Sequence, residues 1–285
     1  MSIPAETLLK IMPLSWEDTD PESLFGMPYP GARQVPLPFV DGELIPLDLI
    51  TAIKTPGAHN EVSIIVGSQR EETDFGPIDI VENLPLQKFQ TFLSSKFSKF
   101  NNSAIMPFIN KYYFVSGQSV APLSKPLSFQ RIYDQVSADI HFICPAIELA
   151  QTMALSFARS NVYMYIGTHN PTVPVCTLDL GDNYCPQFAF HWWDFRCLTQ
   201  NVVPLGILPL GSSDISFGNL LMDRFVMMAD SPDTPIAGMT LLLSRLSEGY
   251  VVNLMDQTNT PTTNWKKEIC EQWFSFGFYN YTILN

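Results

Sequence analysis

The chain has 285 residues, with 28 Asp and Glu against 16 Lys and Arg, for a formal net charge of −12. Binding to a phosphate backbone needs basic surface, so this balance argues against nucleic acid as a partner. A composition of 46% hydrophobic and 15% charged residues excludes disorder over most of the chain, and no run approaches the ~20 apolar residues of a membrane helix.

In chain order, the first ~35 residues read as a short helix around Ala5–Met12 and then a Pro/Gly-rich loop. Pro36–Gly42 is a short extended run closed by an Asp-Gly turn, and Leu47–Lys54 reads as a helical turn. Glu61–Gly67 (EVSIIVG) is a β-branched apolar run bounded by Gly, hence a buried strand. It leads into an acidic loop, Arg70–Asp74. Leu86–Phe97 and Ala104–Tyr112 are expected helices. Phe129–Phe157 is the longest helical region, with Ile132, Val136, Ile140, Ile143 and Ile147 on one face and Pro145 marking a kink or a new start.

Val162–Gly167 (VYMYIG) is a second buried strand, followed by a long polar loop from Thr168 to about Asp194. Phe217–Ala229 is a helix with Leu220, Leu221, Phe225 and Met228 inward, and Tyr250–Leu254 is a late strand. Asn264–Phe276 is an amphipathic helix with a stripe of Trp265, Ile269, Cys270, Trp273 and Phe276, preceded by a Thr-Thr-Asn cap. Strands separated by long helical segments imply an α/β fold with a mostly parallel sheet. In such sheets the working groups sit on loops at the carboxyl ends of strands, here Arg70–Asp74 and Thr168–Asp194.

The five cysteines are Cys144, Cys176, Cys185, Cys197 and Cys270, and none forms a CxxC pair. With only four histidines no structural zinc site is expected, and without metal-ligand spacing or a phosphate-cradling glycine loop no cofactor is expected. Two readings of the cysteines stay open: five buried thiols, or two disulfides and one left over. The sequons at Asn101 and Asn280 fit a secreted glycoprotein. The start MSIPAETLLK lacks a basic segment followed by an apolar core, so no signal peptide is expected in this chain. A longer protein whose beginning is missing reconciles these signs.

Several stretches, taken in order, resemble the C-terminal half of a type-B carboxylesterase, the cholinesterase-like branch of the α/β-hydrolases. PFVDGELIP resembles that family's P-V-x-D-G strand, and VSIIVGSQREETDFG resembles the strand and loop that carry its catalytic Glu. SADIHFICPAIELAQTMA resembles the D-x-x-F-x-C-P helix, and NVYMYIGTHNP resembles the strand before the histidine loop. LLMDRFVMMADSPDTP, YVVNL and KEICEQWFSF resemble the F-A-x-T-G-x-P helix, the last strand and the C-x-x-W terminal helix. The resemblance implies residues 1–285 as the C-terminal portion of one α/β-hydrolase domain, with no internal boundary. It also implies disulfides Cys144–Cys270 and Cys176–Cys185, leaving Cys197 unpaired.

The family's triad runs Ser, Glu, His. The resemblance makes Glu72 the acid, although Thr73 stands where Gly is usual and Glu71 is an adjacent competitor. It makes His191 the base, within His191-Trp-Trp-Asp194-Phe195, although Trp192 replaces the Gly of the H-G-x-(E/D)-L pattern. A second register aligns Cys185 with a C-H-G pattern and puts Pro186 at the base position, and a packing histidine is the plain alternative for His191. His169 is a weaker candidate; His59 and His141 read as structural or surface residues. No G-x-S-x-G occurs in the chain, and Ser116-Gly-Gln-Ser119 is not a nucleophile elbow. The resemblance therefore implies an ester hydrolase that is inactive alone, with its nucleophile on an N-terminal half of the same chain or a partner. The other implied role is a non-catalytic extracellular binding, adhesion or assembly protein with protein partners.

Overall fold

The computed structural model describes residues 40–75, 80–98, 100, 102–114, 128–157, 160–173, 175, 185–200, 209–243 and 249–278. The expected helix Ala5–Met12, both sequon asparagines and Cys176 lie outside the described residues.

The described chain opens on the Asp-Gly turn, where Asp41 Oδ1 accepts the amides of Glu43, Leu44 and Ile45 at 2.9, 2.8 and 2.9 Å. Helix α1 (Leu49–Lys54) starts at Asp48, whose side chain caps Thr51 N. Strand β1 (Ile64–Gln69) begins three residues later than Glu61 and runs on to the start of the acidic loop. Helices α2 (Leu86–Lys96) and α3 (Asn102–Tyr112) follow, the latter with Pro107 inside it.

The long helical region is three pieces without a break: α4 (Phe129–Ala138), a π-helical turn (Asp139–Ile143) and α5 (Cys144–Ser156). Pro145 stands in the first turn of α5, where its missing N–H costs little. The wider turn just before it absorbs the irregularity as a π-bulge. Strand β2 (Val162–Gly167) is buried throughout. Helix α6 (Trp193–Thr199) begins where the expected loop ends, near Asp194, in a stretch for which the sequence suggested no element.

Helix α7 (Ser212–Asp230) starts five residues before Phe217, because Asp214 reaches back to the Gly211 amide at 2.8 Å. Strand β3 (Val251–Met255) is followed by β4 (Asn259–Thr263), a strand that periodicity did not reveal. Helix α8 (Lys267–Ser275) closes the described chain. Thr262 and Thr263 belong to β4 and do not cap α8. The turn into α8 is made by Asn264 and Lys266 at φ 54° and 58°.

The sheet order is β1-β2-β3-β4. β1, β2 and β3 are parallel, and β4 is antiparallel to β3. Pro261 is tolerated in β4 because that strand lies at the edge. One face packs Met164, Ile166, Val252 and Leu254 against α2, α3, α4, α5 and α8. The other packs Tyr165 and Met255 against Trp193, Cys197, Phe217 and Leu221. Alternation along β2 thus sends neighbouring side chains into two cores, as helices on both faces require.

On the first face Trp273 is fully buried, and its Nε1 donates to Tyr113 Oη at 2.8 Å. Tyr113 Oη donates to Asp139 Oδ2 at 2.7 Å, and Lys266 Nζ meets Asp139 Oδ1 at 2.5 Å. A disulfide joins Cys144 to Cys270 across this face.

Candidate active site

The three parallel strands all end on one side, and the candidate residues gather there. Beyond β1 the Arg70 amide extends the ladder to Gly167 O at 2.9 Å, and the chain then tightens into a 3₁₀ turn, Glu72–Phe75. Glu72 holds this turn itself: its Oε1 accepts the Gln69 amide at 2.6 Å and Ser68 Oγ at 3.0 Å. These bonds satisfy a nearly buried carboxylate, which would otherwise be costly.

The second oxygen, Glu72 Oε2, lies 2.8 Å from His191 Nδ1. An ionised carboxylate has no proton to give, so Nδ1 carries the hydrogen and donates it. The two loops also pair through their backbones. His191 N donates to Glu72 O at 3.2 Å and Glu71 N to Ala189 O at 3.0 Å. The His191 side chain is 31% exposed against 8% for Glu72. A buried carboxylate thus lies behind an imidazole that reaches solvent. His191 packs against Phe142 and Trp192, with ring centroids at 6.0 and 5.7 Å.

Glu71 is differently occupied. Its Oε1 accepts Arg70 Nε at 2.9 Å, Arg131 Nε at 2.8 Å and Gln135 Nε2 at 2.9 Å. Burial alone would push its carboxyl up, but the Arg70 and Arg131 guanidiniums outweigh burial and hold it low. Of the two adjacent glutamates, Glu72 is the one that meets the histidine. Pro186, at the base position in the second register, is buried at the start of the histidine segment, and its amide nitrogen has no basic lone pair.

The two departures from the family pattern behave differently. Thr73 is buried, and its Oγ1 donates to Asp134 O at 2.9 Å. It is not among the residues with positive φ, so nothing in its backbone calls for glycine. Trp192 sits at φ 69°, a left-handed conformation that favours glycine. Asp194 is fixed by Tyr165 Oη at 2.6 Å.

His169 is clamped elsewhere. Its Nδ1 is 2.5 Å from Asp256 Oδ1 and its Nε2 is 2.9 Å from Asp214 Oδ1. Burial lowers its affinity for a proton, but the two aspartates together raise it above the ordinary value. Both ring nitrogens are committed to carboxylates, which leaves no lone pair for general-base work. His59 Nε2 is engaged by Ile53 O at 2.8 Å, and His141 is buried in the π-helical turn.

Cys185 is held in a disulfide, while the cysteine that the resemblance pairs with it lies outside the described residues. Cys197 is a buried free thiol whose pKa burial drives well up. Among the described residues no three His, Cys, Asp or Glu side chains are grouped to hold a metal ion.

Sequence reading missed Asp74, Arg131 and Asp134. Asp74 Oδ2 accepts the amides of Gln187 and Phe188 at 2.7 and 2.8 Å, anchoring the segment that leads to His191. Arg131, Asp134 and Gln135 stand at i, i+3 and i+4 on α4, so one helix face meets the acid loop. That spacing was the available signal, obscured by the stronger apolar stripe on the same helix.

No protein-family model and no curated protein matches the chain. Solved structures do. A PNB esterase is 16% identical with a TM-score of 0.58, over 95% of this chain and 49% of its own. Juvenile hormone esterase from Manduca sexta is 18% identical with a TM-score of 0.52, over 98% of this chain and 51% of its own. A carboxylesterase from Geobacillus stearothermophilus is 18% identical with a TM-score of 0.50, over 95% of this chain and 49% of its own. At these identities the likeness is one of fold: the chain has the fold of the C-terminal part of an α/β-hydrolase esterase, and it spans about half the length of the structures it matches.

Proposed function

We propose that this chain supplies the acid and base of a Ser-Glu-His carboxylic ester hydrolase, with Glu72 as acid and His191 as base. The observation that carries this reading is the 2.8 Å contact between His191 Nδ1 and a buried, hydrogen-bonded Glu72 carboxylate. In such a pair the carboxylate fixes the tautomer and steadies the imidazolium that forms. The Nε2 end of the ring takes the proton of a serine hydroxyl and then returns it to the leaving alcohol.

The serine and the backbone donors for the oxyanion would come from an N-terminal half, in the same chain or a separate subunit. The length relation to the matched esterases supports this division. The Cys144–Cys270 disulfide is compatible with a secreted or lumenal setting.

The test joins the chain to its N-terminal half and measures hydrolysis of short p-nitrophenyl esters. His191→Ala is expected to lower kcat by about 10²–10⁴ and Glu72→Gln to lower it by less, both with KM nearly unchanged. Full activity in His191→Ala would refute the reading and favour the binding or adhesion role.

A further inference from the structure

Behind the Glu72–His191 pair lies a second carboxyl pair that the proposed reaction does not use. Asp74 and Asp134 are both fully buried. Asp74 Oδ2 accepts the Gln187 and Phe188 amides. Asp134, on α4, is close enough to Asp74 to feel its charge, and Thr73, the residue before Asp74, donates its Oγ1 to Asp134 O at 2.9 Å. Its Oδ1 accepts Gln130 Nε2 at 3.1 Å, whereas its Oδ2 is buried and receives no hydrogen bond.

A buried carboxylate oxygen with no donor is expensive, and two carboxylates in contact do not both stay ionised. One proton removes both difficulties. Carried on Asp134 Oδ2 and donated to Asp74, it leaves Asp74 an anion facing two amides. Burial first, and then the charge of Asp74, hold Asp134 well above the usual carboxylate range. The other charges facing the pair are Glu71, which adds to that rise, and Arg131, which interacts favourably with Asp74 and is itself bound to Glu71. Arg70 reaches the cluster through Glu71.

We propose that Asp74, tied to Asp134 by a shared proton, is a positioning residue for His191, holding the histidine segment in register with the acid loop. The inference rests on reading Glu72 and His191 as the acid–base pair. Asp74 acts four and three residues ahead of the histidine, through the amides of Gln187 and Phe188. Glu71 N and Arg131 grip the same segment, at Ala189 O and over the Phe188 ring at 4.8 Å. Among these grips, only the Asp74–Asp134 contact depends on a proton shared between two acids.

The experiment uses the assembled protein with isotopically labelled histidine. Only four histidines are present, so the His191 Nδ1–H resonance is assignable by substitution. Infrared spectra report the carbonyl stretch of a neutral carboxylic acid. The wild type is expected to show that band near neutral pH, and Asp134→Asn is expected to remove it while keeping the His191 resonance. Asp74→Ala should broaden or abolish the resonance and lower kcat about a hundredfold, with KM within about twofold. Asp74→Asn should recover most of that loss, because its amide oxygen can face the two backbone N–H groups while its NH₂ donates to Asp134.

A sharp, unshifted His191 resonance with unchanged kcat in Asp74→Ala overturns the proposal, as does a wild type without the acid band. If Asp74→Ala does not fold, Asp74→Asn decides: the band must vanish and the resonance must persist. If Glu72→Gln leaves the His191 resonance untouched, the acid–base reading itself fails, a result separable from failure at Asp74.

Discussion

At the scale of single residues, the site combines satisfied groups with one strained one. Trp192 holds a left-handed backbone and is 63% exposed, so little burial offsets its conformation. A non-glycine residue there costs roughly 1–2 kcal/mol. Trp192→Ala removes the ring and keeps the strain, whereas Trp192→Gly removes both. The glycine variant is therefore expected to be more stable than the alanine variant by about 1 kcal/mol in urea unfolding, the reverse of their order at an ordinary position.

His169 gives a pH prediction. Its proton affinity is raised in the fold, so its contribution is complete below the ordinary histidine value of 6.5 and fades as the pH climbs through the raised one. Asp256, lowered by its hydrogen bond to His169, contributes above the ordinary 3.8 and loses that contribution as the pH falls. The clamp is thus strongest between these two values. Urea midpoints of the wild type should decline from pH 6.5 upward, and His169→Gln should flatten that decline. An equal slope in both would show that the clamp does not titrate.

At the scale of elements, the apolar runs were legible because their period matches their environment. Val162–Gly167 is buried on both faces and coincides with β2. Strand β4 was not legible, because Asn259–Thr263 is mostly exposed and carries Pro261, so it has no apolar signature. Helix α6 was hidden for another reason: its entry requires a left-handed Trp192, which no propensity anticipates. Glu72 and His191 were singled out through family spacing, and the fold sets them 2.8 Å apart. Asp74 and Asp134 were not, because a charged residue on a helix or turn is usually solvated and only the packing of α4 onto the acid loop buries them.

The tie between α5 and α8 supports a further prediction. Cys144 and Cys270 are 126 residues apart, and closing so long a loop stabilises by up to about 4–5 kcal/mol through the unfolded chain. Replacing both cysteines with alanine should lower the urea midpoint without changing the Glu72–His191 contact, which lies on other elements. An unchanged midpoint would mean that the aromatic packing around Trp273 alone holds the two helices.

At the scale of the whole molecule, the question is what lies beside β1. The Ile64 amide donates to Asn161 O and the Arg70 amide to Gly167 O, both across to the β2 side. Parallel strands alternate the direction of their backbone groups, so the amides of Ile65, Gly67 and Gln69 turn the other way. The Gln69 amide fits this alternation, since it is taken by Glu72 instead of by β2. No described strand pairs with β1 on that side, and an open edge of this kind invites another strand. Val62, just before β1, is 56% exposed. The proposed N-terminal half would supply the neighbouring strand. Hydrogen exchange of the chain alone should therefore show Ile65 and Gly67 exchanging fast while Val66 and Ser68 are protected, and joining the N-terminal half should protect Ile65 and Gly67 as well. Size-exclusion chromatography gives the matching test: the chain alone is expected to associate or to elute broadly. A monodisperse, cooperatively unfolding monomer with Ile65 and Gly67 already protected would show that β1 needs no further strand, and the two-half reading would fall with it.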